Sequence, residues 1–170
     1  MWSRTKSSIL PVFMVGLMLL YLSGCGFQLR GKATLPPGLE KMTITGLDMY
    51  DPLVVVLSRY LRANGVDVVA NGDPKVAELR LSNFSQIKEI IVVAVDGTVR
   101  EYRLISGVTI ELKDKASGLN LPAERIGVTR DFLYNPDDVL GKSEEEKVLR
   151  EEMIRDLARK IMERLGTLTP

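Results

Sequence analysis

The sequence predicts an α+β domain: a two-layer sandwich with an about four-stranded, largely antiparallel sheet and two α-helices on one of its faces. Three observations lead to this. Apolar residues recur at three- and four-residue spacing over 53–61 and again over 149–165, the mark of helices with one buried stripe. Three long β-rich stretches follow one another between residues 76 and 134 with no helical segment between them, so neighbours must run antiparallel. Asp96-Gly97 separates the first two of these stretches, and that dipeptide tolerates the positive backbone angles of a tight hairpin.

Each element has its own signal. Met42-Thr43-Ile44-Thr45 alternates and is β-rich, which predicts a first strand. Asp51 followed by Pro52 opens a helix that carries Leu53, Val56, Leu57, Tyr60 and Leu61 and stops at Asn64-Gly65. Valines 54–56 are poor helix formers, so burial must outweigh propensity there. Val66 to Val69 reads as a short strand and Asn71-Gly72-Asp73-Pro74 as a turn. The long stretches are Val76 to Val95, Val99 to Lys113 and Leu119 to Tyr134. In the middle one, Tyr102, Leu104, Val108, Ile110 and Leu112 share a face, with Glu101, Arg103, Thr109 and Glu111 opposite and Ile105 as the exception. The apolar run Ile90 to Val95 reads either as core or as an exposed tip. Asn135-Pro136 ends the sheet. A long helix then runs from Ser143 to Leu165, with Ser143 and Glu146 matching a capping box and an apolar stripe at Leu149, Met153, Leu157 and Ile161.

Composition narrows the chemistry. The chain of 170 residues has no histidine and one cysteine, Cys25, which removes histidine-based general-base catalysis, serine–histidine triads and most zinc sites. Lys and Arg number 23 against 22 Asp and Glu, a balance that argues against nucleic-acid binding by bulk charge. Neither a metal nor another cofactor is called for. Glu101 and Glu111 share a strand face but stand about 33 Å apart on an extended strand, too far for two-carboxylate hydrolysis.

The first residues read as a signal peptide over 1–24. Arg4 and Lys6 precede an apolar run from Ile9 to Leu22 that is too short for a comfortable transmembrane span. Leu22-Ser23-Gly24-Cys25 then resembles the lipobox of bacterial lipoproteins. The resemblance implies that Cys25 is acylated, palmitate included, and becomes the mature N-terminus. Gly26, rather than Asp, after the cysteine suggests the outer membrane under the enteric sorting rule. Residues 25–39 form a tether with Gly31, Pro36, Pro37 and Gly38 as punctuators, and the domain occupies 40–170.

Four further segments complete a pattern. Gly24-Cys25-Gly26-Phe27-Gln28-Leu29-Arg30-Gly31, Leu61-Arg62-Ala63-Asn64-Gly65-Val66, Asp96-Gly97 with Glu101-Tyr102, and Phe132-Leu133-Tyr134-Asn135-Pro136 together resemble the LPS-assembly lipoprotein family LptE. The resemblance implies a non-enzymatic protein that plugs the large outer-membrane β-barrel LptD from its periplasmic side and lumen. It also implies a share in placing lipopolysaccharide in the outer leaflet, with lipopolysaccharide as a ligand of the family. In such proteins a lysine just after the Asn-Pro motif contributes to lipopolysaccharide binding, and Lys142 matches it. A second basic position before the hairpin turn falls on Val95, a departure, and Arg100 just past the turn is the candidate substitute. The competing reading is another outer-membrane lipoprotein, a periplasmic scaffold or peptidoglycan-linked binding module on the same anchor.

Overall fold

The computed structural model describes residues 35–70, 76–135 and 137–168. The signal-peptide segment, Cys25 and Pro136 lie outside them. Along the described chain run β1 (Lys41–Thr45), α1 (Pro52–Ala63), β2 (Asp67–Val68), β3 (Ala77–Val93), β4 (Val99–Lys113), β5 (Asn120–Leu133) and α2 (Val139–Gly166). The sheet order is β2-β1-β3-β4-β5.

The sheet therefore has five strands rather than about four. The additional strand is β2, two residues long, held beside β1 by Asp67 N–H donating to Glu40 O at 2.8 Å and Val69 N–H to Met42 O at 3.0 Å. Because α1 carries the chain back before β2, the pair is parallel, and β1 also runs parallel to β3. The meander β3-β4-β5 is antiparallel throughout, as the sequence predicts.

Helix α1 starts and stops on its expected residues. Asp51 caps it, its carboxylate accepting from Leu53 N–H at 2.8 Å, and Gly65 follows with φ +88°. Helix α2 departs from expectation at its start. It begins at Val139, capped by Asp138, whose side chain accepts from Gly141 N–H at 3.1 Å. Ser143 thus lies inside the helix and the capping box with Glu146 does not form. Asp138 is the better cap because it stands where the chain turns out of the Asn135 corner, and Glu146 is engaged elsewhere.

Both helices cover one face of the sheet. Leu53, Leu57 and Leu61 of α1 and Met153, Leu157, Ile161 and Leu165 of α2 join Leu104, Val108, Ile110 and Leu112 of β4 in one buried cluster. Burying each such side chain contributes about 1.5–3 kcal/mol. Ser106, absent from the sequence's apolar face, is also buried; it accepts from Gln86 Nε2 at 3.2 Å and lies 3.9 Å from Met153 Sδ. The opposite face stays polar, with Arg103 clasping Asp131 through two 2.8 Å hydrogen bonds.

Two close approaches shape β3. Gly46, at φ +91°, lets the chain leave β1 against Leu81; a Cβ there would fall 2.1 Å from the Leu81 carbonyl oxygen. Further along, β3 bulges between Ser82 and Ser85 with Asn83 at φ 52°. Arg125 reaches across Gly107 to donate to Asn83 O at 3.2 Å and Ser85 Oγ at 2.9 Å, pinning the bulge.

Leu157 sits mid-stripe on α2 and is fully buried. Leu157→Ala is expected to cost about 2–5 kcal/mol in chemical denaturation, whereas a cost near zero would contradict this packing.

Candidate functional site

The buried stripe of α2 begins at Met153, so the sheet outruns its helical cover at the β3–β4 hairpin end. The cross-strand register there places Ile90 beside Tyr102 and Tyr102 beside Phe132. Tyr102 and Phe132 stack with centroids 5.6 Å apart, and Tyr134 meets Tyr102 edge-on at 5.3 Å. Lys88 Nζ lies 4.0 Å above the Tyr102 ring and 5.4 Å from Phe132. The same ammonium pairs with Glu146 of α2 at 2.5 Å, and Arg150 grips the other oxygen of Glu146 at 2.7 and 2.9 Å.

Exposed aliphatic residues gather at this end. Ile90 lies beside Tyr102 on the aromatic face, Val92, Val93 and Leu133 stand beside Val99 and Glu101 on the other, and Val95 at the turn and Val139 and Leu140 at the start of α2 are exposed as well. The run Ile90 to Val95 is thus an exposed tip rather than core, with Ile91 and Ala94 half-buried within it.

The structure puts both sequence-predicted cations at this end. Lys142 occupies the first turn of α2, its N–H donating to Asp138 O at 3.0 Å and its ammonium paired with Glu145 at 2.6 Å. Its side chain is only 21% exposed. Arg100 follows the hairpin turn; its side chain is half exposed and 3.8 Å from Asp96, and its carbonyl accepts from Tyr134 N–H at 2.8 Å. No ion pair or hydrogen bond joins Lys142 to Arg100 among the described residues. Val95 is fully exposed at the turn and adds no charge. Cys25, the expected lipidation site, lies outside the described residues.

Sequence reasoning missed Lys88, Arg150 and the ring cluster. Tyr102 reads as an ordinary inward residue of the middle strand. A signal was available: Phe132 and Tyr134 stand two apart on one strand, and the Asp96-Gly97 turn sets the register that brings Tyr102 alongside.

Carboxylates dominate the local electrostatics. Burial pushes the Glu146 carboxyl up, but hydrogen bonds from Lys88 and Arg150 outweigh it and hold the group below its ordinary value. The hydrogen bond from Arg103 lowers Asp131. Hydrogen bonds from the side chain and N–H of Thr98, with help from Arg100, lower Asp96. Lys88 and Arg150 share Glu146, while Lys142 pairs with Glu145 and Arg100 with Asp96. Together, paired cations, an aromatic floor and exposed aliphatic residues suit an anionic amphiphile.

Residues 39–165 match a protein-family model described as LptE, lipopolysaccharide-assembly. The chain belongs to the LptE family. The LPS-assembly lipoprotein LptE of Photorhabdus laumondii is 34% identical over 155 residues, covering 91% of this chain and 84% of that protein. Its counterpart from Yersinia enterocolitica is 30% identical over 155 residues, covering 91% and 74%. Among solved structures, the rare lipoprotein B of Shewanella oneidensis is similar at TM-score 0.67 and 28% identity, covering 75% of this chain and 94% of that one. The LptE match runs from Leu39 to Leu165 and so takes in the hairpin tip and Lys142. No helix among the described residues is long and apolar enough to cross a membrane.

The lowered carboxyl groups give the pH dependence a sign. A group with a depressed folded pKa contributes stability above its unfolded value and loses it as pH falls through the folded one. For Glu146 the loss starts below the ordinary value of 4.5. With no histidine in the chain, the melting temperature is expected to stay flat between about pH 5.5 and 7 and to fall on acidification below about 4.5. A melting curve series that rose on acidification would contradict this.

Proposed function

We propose that this chain is a non-catalytic outer-membrane lipoprotein that plugs the lumen of the LptD β-barrel and assists assembly of lipopolysaccharide into the outer leaflet. In this reading residues 1–24 are a signal peptide, Cys25 carries the acyl chains, and residues 25–39 tether the domain to the membrane. The periplasmic side and the lumen are then its working location.

One observation supports the lipid arm above the others: cations, stacked rings and exposed aliphatic residues converge at a single end of the sheet. Lipopolysaccharide offers phosphates for Lys142 and Arg100 and acyl chains for the exposed aliphatic side chains of the tip, Ile90 on the aromatic face foremost. The polar open face, with its Arg103–Asp131 clasp, supports the plug arm, because the lumen of a large barrel is polar.

The double variant Lys142→Asp with Arg100→Asp tests both arms. Each charge-assisted contact to phosphate contributes about 1.5–3 kcal/mol, so losing two is expected to weaken lipopolysaccharide binding at least about tenfold. Both residues lie outside the core, so the variant should fold and still co-purify with the barrel. Unchanged lipopolysaccharide affinity would place binding elsewhere. Lost barrel pairing with intact lipid binding would move these residues to the plug interface, and recovery with peptidoglycan instead of the barrel would favour the scaffold reading.

A further inference from the structure

We propose that Lys88 is a positioning residue: through its bridge to Glu146 it fixes the first turns of α2, and so Lys142, against the hairpin tip. The proposal rests on the reading of the tip as the lipopolysaccharide-binding end and deepens it.

The first turns of α2 have little else to hold them. Among the buried residues of the helix, the first is Met153, and only Leu149 upstream packs partly against the core. Val139, Leu140 and Val148 are exposed and make no anchor. Residues 139–148 would span about 15 Å of helix at 1.5 Å per residue, a length that fraying could detach from the sheet.

Lys88 supplies the missing tie. It stands on β3 next to Leu104 of β4, on the face that the helices cover. Its ammonium touches two elements at once, the Tyr102 ring of β4 at 4.0 Å and the Glu146 carboxylate of α2 at 2.5 Å. Arg150, one turn further along α2, locks the same carboxylate. Glu146 lies four residues after Lys142, so the two share a helix face. Whatever fixes Glu146 in azimuth and height fixes Lys142 as well. The Lys142 ammonium is steadied by Glu145 of its own helix, so its place relative to Arg100 depends on where the helix sits.

The test combines amide hydrogen exchange over residues 139–146 with binding of purified lipopolysaccharide to the whole mature chain. The pair is half-buried and shares an aromatic face, which sets it above an ordinary surface ion pair. Lys88→Met and Glu146→Gln should each speed exchange about fivefold while leaving the melting of the core nearly unchanged. Each should also weaken lipopolysaccharide binding, by about threefold or more. Glu146→Gln is the discriminating variant. It removes a negative charge from an anion-binding end, so electrostatics alone would tighten binding, whereas positioning requires it to loosen. Lys88→Arg, which keeps the charge and the ring contact, should restore both readouts, and the double variant should be no worse than either single one.

Unchanged exchange in the single variants would overturn the proposal. So would tighter binding by Glu146→Gln, which would make Glu146 a competitor of the ligand instead of an anchor. A wild-type chain that binds no lipopolysaccharide would sink the lipid arm of the proposed function and, with it, the contribution of Lys88 to binding. The exchange measurement would then still report separately whether Lys88 holds the helix.

Discussion

The architecture depends on a mismatch of lengths. The buried stripe of α2 from Met153 to Leu165 spans about 20 Å of helix, while β4, with its 15 residues, extends about 50 Å. The helix itself runs 28 residues, about 42 Å, but its first fully buried side chain is Met153, so the core occupies one end and the β3–β4 hairpin runs past it. What happens at the uncovered end follows from that. Phe132, at the edge of the core, and Tyr102, packed against it, form a floor beneath the Lys88 ammonium, while the aliphatic side chains of the hairpin tip stay outside. The bulge at Asn83, held by Arg125 across Gly107, lies where the covered part of β3 gives way to the uncovered part.

The uncovered end is stabilised by charge more than by apolar burial. Lys88 and Arg150 share Glu146, and Lys142 and Arg100 pair with Glu145 and Asp96. Exposed pairs such as Arg100–Asp96 contribute little individually, whereas the Lys88–Glu146 pair ties two elements together. On the proposed function, an anionic headgroup would meet cations already held in place by carboxylates, so that binding there would be an exchange of partners.

Much of this was legible in the sequence because the signals were local. Asp51-Pro52, Asn64-Gly65 and Asp96-Gly97 fixed one helix and the central hairpin, and alternation along β4 identified its buried face. What escaped was set by distant partners. Helix α2 starts at Val139 rather than Ser143 because Asp138 caps it and Glu146 bonds across to Lys88 on another element. Ile90 to Val95 could be core or surface until the reach of the helices was known. Of the binding candidates, Lys142 and Arg100 came from motif resemblance. Lys88 was invisible to it, since its role exists only in the contact between β3, β4 and α2.

On the proposed function, lipopolysaccharide meets the hairpin end of the sheet and not the far end. The most direct measurement places a photoreactive amino acid at Ile90 or, for comparison, at the exposed Lys115 in the β4–β5 turn at the opposite end, and irradiates living cells. A lipopolysaccharide adduct from Ile90 and none from Lys115 is the expected result. An adduct from Lys115 with none from Ile90 would contradict the account.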